Sequence, residues 1–549
     1  IKILLVIIFI IGILLRFYRL GDVPLGFHRD EAFLGYNAYS ILLTGKDISG
    51  NFLPLHFKSF LYSPSGYSYL SIPFIKLFDL SPFSVRFASA FFGSLTILTT
   101  FFLTKQLFKD IRYKNHLSTA SALLLSISPW HINLSRTATE NTVVVFFITL
   151  AVLIYLLHFY SNKWYLLPLS FFCFFITLFI YQAPRVFLPF FIPLLTVLLN
   201  TKSKSTMFKI IIFFIGILLP LFIIFSSKDL SLRIRTVSIF ATSETQLLID
   251  EQIRTDGISK TGVFLTRLFH NKLSMYTQHF LENYFSHFSY NFLFSDKSLP
   301  ERYRIPLVGL LYLLELPLLV VGIFRVVKED RRSSIFLLGW IVIAPVGSAL
   351  TFDDVPNIQR TLIIFPALSM LEAFGLIQIL NFLKKNYWLK ILGSFLTIVF
   401  AYNVSFYLHQ YYTHAVRYRP WYRQDGYKKL VEEVNKYLVK YNKVIVTDRE
   451  SAPTIFFLFY SLYPPDRFQQ ETKRTKMKDF DRIFFGRYEF SQEECPLRLI
   501  EKNGQLASTG EKDVLYVDSG LCKIPHNARV FSTIKRSDNS LAFFILAPF

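Results

Sequence analysis

The chain has 549 residues, 52% hydrophobic and 17% aromatic, with 61 Phe. This is more apolar surface than soluble domains of that length bury, which marks a membrane protein. The net charge of +21 does not indicate nucleic acid, because Lys and Arg fall in short clusters between apolar runs rather than along one stripe. Only three Cys occur, none at CxxC spacing, so a structural zinc site is not expected.

In chain order, about eleven apolar runs approach the roughly 20 residues needed to cross a bilayer. They lie near 1–15, 84–108, 117–130, 140–160, 164–181, 185–199, 208–226, 305–327, 333–350, 361–380 and 388–408. The first opens at Ile1 without a small-residue cleavage site, so it reads as a slightly truncated span rather than a signal peptide. The basic connections KDIRYKNH (109–116), SNK (161–163), TKSKSTMFK (201–209), KEDRR (328–332) and KK (384–385) alternate with loops that lack such clusters. By the positive-inside rule the basic set is cytoplasmic, and so is the N-terminus. The first loop (16–83), 131–139, 181–185, the long loop 227–304, 351–360 and the tail from about 409 then face outward. The expected setting is a multi-pass protein of the plasma (inner) membrane.

The tail changes character, so the sequence divides into a transmembrane domain at 1–408 and a small extracytoplasmic α/β domain at 409–549. DGYKKLVEEVNKYLVKY (425–441) has helical spacing, whereas KVIVT, RIFFG, VLYVD and LAFFIL read as short strands. KVIVTDRESAPTIFFLFY contains no glycine-rich phosphate loop, which argues against a nucleotide site. Cys495 and Cys522 both fall on the outer face; the compartment permits a disulfide, and spacing alone does not fix one.

The stretch GFHRDEAFLGYNAYSILLTG (26–45) places Asp30 and Glu31 side by side at the membrane edge. Adjacent carboxylates repel and resist desolvation, so they call for a cation, a hydrogen-bond network or a proton-transfer role. Neighbouring helical positions diverge by about 100°, so one carboxylate can face a reacting hydroxyl while the other anchors substrate or scaffold. The competing reading makes one of them an N-cap of the helix that follows.

HRDEAFLGYNAYSILLTGKDISGNFLPLHFKSF resembles the first external loop of the GT-C glycosyltransferases, in the branch of protein O-mannosyltransferases and the lipid A aminoarabinose transferase, glycosyltransferase family 39. The likeness continues through LSPFSVRFASAFFGSLTIL (80–98), SPWHINLSRTATEN (128–141), YQAPRVFLPFFIPLL (181–195), GLLYLLELPLLVVG (309–322) and DDVPNIQRTLIIFPALSML (353–371). The resemblance implies a helical GT-C membrane fold and a polyprenyl-phosphate sugar donor. It also implies inverting transfer to an acceptor on the outer face, with Asp30 taking the acceptor's proton and Glu31 positioning substrate. The acceptor is not identified, no cofactor is implied, and the remaining partners are membrane lipids.

Relatives commonly carry a lysine late in the first loop that touches donor phosphate, whereas LYSPSGYSYL (61–70) has none. Arg360, Arg136 and Arg185, at the outer ends of spans, are the replacement candidates, with Lys58 a weaker one, because guanidinium grips phosphate bidentately. Each arginine also has a plainer reading, snorkelling to lipid headgroups. His131 and Glu140 flank a short outer connection and are candidates to shape the pocket, against the plainer readings of buried structural histidine and helix cap. Asp353 and Asp354 lack further metal ligands and read as loop charge; a divalent ion is left open, and no metal residue is assigned. Glu315 and Glu372 sit near the middle of their expected spans and should face the bundle interior. They supply the alternative function, a lipid-linked sugar flippase or other transporter.

Overall fold

The computed structural model describes residues 2–57, 63–161, 163–195, 198, 204–227, 236–241, 243–475, 484–497, 499–502 and 505–549. Helices dominate, and a mixed sheet lies near the C-terminus. Among the described residues five helices are long and apolar enough to cross a membrane: Pro82–Leu107, Glu140–Ser161, Arg331–Ala349, Leu362–Leu383 and Tyr387–His414. Leu166–Ile180, Ala183–Leu195 and Phe214–Ser226 are shorter apolar helices. The first expected span forms the helix Lys2–Phe17.

The chain divides into two compact units, the first comprising Ile1–Arg16, Phe91–Ser135 and Thr139–Tyr407. Here the expected span 305–327 is shortened, because its helix runs only from Glu315 to Glu329. Residues before it bond otherwise: the Val308 amide closes a turn on the Ile305 carbonyl at 3.1 Å, and the Leu311 amide donates to the distant Leu293 carbonyl at 2.8 Å. Glu315 therefore stands in a first helical turn rather than mid-span, and accepts the Tyr312 amide at 2.8 Å. Glu372 lies within Phe365–Leu383, and both acids are fully buried, as expected of groups facing the interior.

Those two helices approach through glycine. A Cβ at Gly375 would lie 1.9 Å from the Leu318 carbonyl oxygen, and one at Gly322 would lie 1.9 Å from that of Leu371. Small residues let helix backbones pack this closely where lipid supplies no hydrophobic drive between them. The long connection 227–304 carries the helices Glu244–Ile258, Val263–Phe269 and Lys272–Ser286.

The second unit comprises Phe17–Ala90, Arg136–Ala138 and Leu408–Phe549. The tail shares this unit with the first loop. The Tyr36 hydroxyl donates to the Tyr463 carbonyl at 2.6 Å, and Gln469 Nε2 donates to Ser40 Oγ at 3.0 Å and to the Asp47 carbonyl at 2.9 Å. Helix Arg29–Thr44 is apolar on more than one face, with Ala32, Phe33, Leu34, Tyr36 and Ala38 all buried, so it requires cover that the loop alone lacks.

The sheet has the order β2 (Tyr488–Ser491), β1 (Lys443–Thr447), β5 (Val514–Ser519), β7 (Leu541–Pro548), β6 (Ala528–Lys535). β1 runs parallel to β2 and β5, and β7 runs antiparallel to β5 and β6. KVIVT, VLYVD and LAFFIL form strands as expected. RIFFG (482–486) does not supply the strand beside β1; Tyr488–Ser491 does, and residues 482–483 lie outside the described residues. β3 (Leu499–Lys502) and β4 (Gln505–Ser508) make a separate hairpin. Cys495 and Cys522 are disulfide-bonded across 5.8 Å between Cα atoms.

Candidate active site

The helix Arg29–Thr44 opens on His28, whose backbone is extended at φ −64° and ψ 148°. His28 Nδ1 accepts the Asp30 amide at 3.2 Å, and Glu31 Oε1 accepts the His28 amide at 3.3 Å. The cap is thus the histidine, and neither carboxylate holds the N-cap position. Both acids lie in the first turn, where the helix dipole favours negative charge.

Their environments then diverge. Glu31 is buried and gripped by a side chain not singled out in the sequence, Arg86: Nε donates to Oε2 at 2.8 Å and Nη2 to Oε1 at 3.1 Å. The Ala138 amide adds a bond to Oε2 at 3.0 Å. The remaining guanidinium bonds reach the carbonyls of Leu20 at 3.3 Å, Pro24 at 3.0 Å and Gly26 at 2.7 Å. A buried ion pair is tolerated when its remaining donors and acceptors are filled in this way. The signal for Arg86 was available, since an arginine early in an apolar helix demands an acid; which acid was not readable across so wide a separation.

Asp30 is one-third exposed. Its Oδ2 lies 3.3 Å from His28 Nδ1, and Oδ1 lies 3.9 Å from Arg29 Nε. This carboxylate is open to solvent on a helix whose next residue is locked. Such a group can accept a proton from a hydroxyl without dismantling the fold.

Arg136 belongs to the same unit but is fully buried. Its Nη2 donates to the Tyr18 carbonyl at 2.6 Å and to the Val23 carbonyl at 2.9 Å, and its guanidinium stacks over Tyr411 and Tyr412 at 5.3 and 5.2 Å. These bonds clasp protein backbone rather than present an open fork to a lipid phosphate.

The other sequence candidates lie in the first unit. Arg360 is partly buried; its Nη1 donates to Thr351 Oγ1 at 2.6 Å and to the Asp353 carbonyl at 2.7 Å, with Nη2 3.6 Å from the Asp353 carboxylate. Tyr181 lies within electrostatic reach of Arg360, Glu140 and Arg302. Glu140 is the first residue of Glu140–Ser161. Asp354 lies 3.5 Å from Arg302, so both members of the 353–354 acid pair face arginine. Among the described residues no group of three or more His, Cys, Asp or Glu could hold a metal ion.

Arg185 is buried and donates through Nε to the Leu178 carbonyl at 3.1 Å. His131 is also fully buried, its Nδ1 2.9 Å from Arg16 Nη2 and 3.2 Å from Ser135 Oγ. An arginine only donates, so Nδ1 accepts and the ring proton sits on Nε2. Lys58 lies outside the described residues.

Residues 63–227 match the model of the family described as dolichyl-phosphate-mannose-protein mannosyltransferase. No curated protein matches the chain in sequence. Among solved structures, ArnT from Cupriavidus metallidurans bound to undecaprenyl phosphate is similar at 11% identity, covering 99% of this chain and 97% of that one, with a TM-score of 0.52. Its apo state gives 10% identity, 100% and 97% coverage and a TM-score of 0.50. The oligosaccharyltransferase AglB from Archaeoglobus fulgidus, in complex with an inhibitory peptide and a dolichol-phosphate, gives 13% identity and a TM-score of 0.50. That match covers 84% of this chain, which spans 63% of the length of the archaeal enzyme. With helices able to span a membrane, a small C-terminal sheet domain and these likenesses along its length, the chain has the GT-C fold of the membrane glycosyltransferases.

Proposed function

We propose that the chain is a glycosyltransferase that moves a sugar from a polyprenyl-phosphate donor to an acceptor on the extracytoplasmic face, with inversion and with Asp30 as general base. The observation that carries this reading is the unequal pair in one helical turn: Glu31 is buried and held by Arg86, while Asp30 is one-third exposed. An acceptor hydroxyl is a poor nucleophile until its proton is taken. Glu31 acts by fixing the helix start, and so the position of Asp30. Arg360 is the preferred donor-phosphate ligand, because it is less buried than Arg136 or Arg185 and two of its contacts, with Thr351 and the Asp353 carboxylate, are to side chains that can exchange. The likeness to proteins whose structures hold undecaprenyl phosphate and dolichol-phosphate supports a lipid-linked donor. The Cys495–Cys522 disulfide supports an oxidising, extracytoplasmic setting for the tail.

The test is release of polyprenyl phosphate by the purified full chain incubated with polyprenyl-phosphate sugars. Asp30→Asn keeps shape and hydrogen bonding but cannot take the proton, so turnover should fall by about 10² to 10⁴ with donor binding retained. Near-normal turnover in the folded variant would remove Asp30 from the base role.

A further inference from the structure

Where the chain leaves the apolar helix Tyr387–His409 it reads LHQYYTHAVRYRPWYRQ, residues 408–424, with three arginines, five Tyr or Trp and no acid. In the orientation proposed above, the other short connections on this face lack basic clusters. Arginines gathered here run against the positive-inside pattern and require a local reason.

The segment is folded into a fixed turn. Arg419 and Gln424 take left-handed φ values of 44° and 49°. The Gln424 amide donates to the Trp421 carbonyl at 3.0 Å and the Asp425 amide to that of Pro420 at 3.2 Å. Arg423 is buried, with Nη1 on the Ala415 carbonyl at 2.9 Å. Arg417 and Arg419 remain at the surface beside Trp421 and Tyr422, which are 43% and 44% exposed.

The same unit brings the residues after the first apolar helix to this turn. Tyr18, 60% exposed, packs edge-on against Tyr412 at 5.5 Å, and the Arg29 amide donates to Gln424 Oε1 at 3.0 Å. Arg19 and Arg29 are exposed as well. Of the acids in these stretches, Asp425 accepts the Ser537 amide at 2.8 Å and Asp30 lies 3.9 Å from Arg29 Nε, while Asp22 is exposed.

We propose that this collar, built on Arg417, Arg419, Trp421 and Tyr422, is a docking surface for an anionic lipid surface. Charge complementarity selects the partner: basic side chains are drawn to headgroup phosphates, and amphipathic rings settle at headgroup depth. In sequence the turn directly follows a helix able to cross the membrane, the place where headgroup contacts are expected. The turn's backbone hydrogen bonds hold the segment that carries both arginines, so the ordering cost at contact falls mainly on their side chains. The inference rests on the membrane location of the chain and does not depend on the transfer reaction.

To test it, the full chain is reconstituted in nanodiscs of phosphatidylcholine, alone or mixed with phosphatidylglycerol, and its thermal midpoint is measured. Phosphatidylglycerol should raise the midpoint, and high salt should shrink the shift. R417Q/R419Q should lose at least half of it, whereas R417K/R419K should keep most. The proposal is overturned by an equal shift in the glutamine variant or, should that variant not fold, by a wild-type shift that high salt leaves unchanged. It is also overturned if undecaprenyl phosphate in phosphatidylcholine raises the midpoint and phosphatidylglycerol does not, which would assign the collar to a lipid-linked donor.

Discussion

Arg86 and Glu31 meet through two parallel hydrogen bonds in a place from which water is excluded. Truncating one member of such a pair strands the other charge, so Arg86→Ala should destabilise the protein by about 3–5 kcal/mol, read as a lower thermal midpoint. Arg86→Lys should recover only part of the loss, because a point charge lacks the planar fork. An unchanged midpoint in the alanine variant would mean that the pair is open in solution. The acidic pair itself was legible in the sequence, and a nearby cation was one of the three ways to sustain it. The identity of that cation was not legible, because the pairing joins two elements far apart in the chain. Arg136 illustrates the converse: residue type and position suggested a phosphate ligand, while packing turned its guanidinium toward the Tyr18 and Val23 carbonyls.

At the scale of elements, helices Glu315–Glu329 and Phe365–Leu383 depend on the absence of a side chain at their crossing. Gly375→Val would drive atoms into the Leu318 carbonyl and should cost at least about 1–3 kcal/mol, the usual range for overpacking. Gly257→Ala is the control: its Cβ would meet nothing within 4 Å, so its midpoint should not fall. Equal midpoints for the two variants would show that the helices separate without penalty. In the sheet, Asp518 on β5 is buried, with the Leu497 amide on Oδ1 at 3.1 Å. Burial pushes its carboxyl up to about 7, the amide bond opposes this, and Glu493 adds to it. The folded state therefore holds this proton more tightly than the unfolded chain does. Its contribution is full below the ordinary aspartate range, near 4, and is lost as pH rises toward about 7. The thermal midpoint of the full chain should fall across that window, and Asp518→Asn should flatten the fall, since its side-chain oxygen still accepts the Leu497 amide. An identical pH profile in the variant would exclude Asp518 as the source.

At the scale of the whole molecule, the proposed orientation puts the basic connections and the tail on opposite sides of the membrane. Protease added to intact cells should cut the tail after residue 409 and leave the 201–209 connection intact. Protection of the tail together with cleavage of that connection would invert the orientation, and with it the face on which Asp30 works. The Cys495–Cys522 disulfide supports the same proposed placement, because reducing compartments keep such thiols reduced.

Composition and hydropathy by themselves determined that this is a helical membrane chain, because apolar runs of spanning length have few other uses. Strand period in the tail determined a small sheet, and the first-loop resemblance determined the GT-C fold that the solved structures share. Three features were decided only in three dimensions. The first loop joins the tail in one compact unit, since the buried faces of Arg29–Thr44 need partners more than 400 residues away, such as Tyr463 and Gln469. Glu315 stands at a helix start rather than mid-span, since the preceding residues make turn hydrogen bonds that hydropathy does not register. Glu31 is locked and Asp30 only partly buried, since local sequence sets the 100° between neighbouring side chains, while only packing decides which of them faces Arg86 and which keeps access to water.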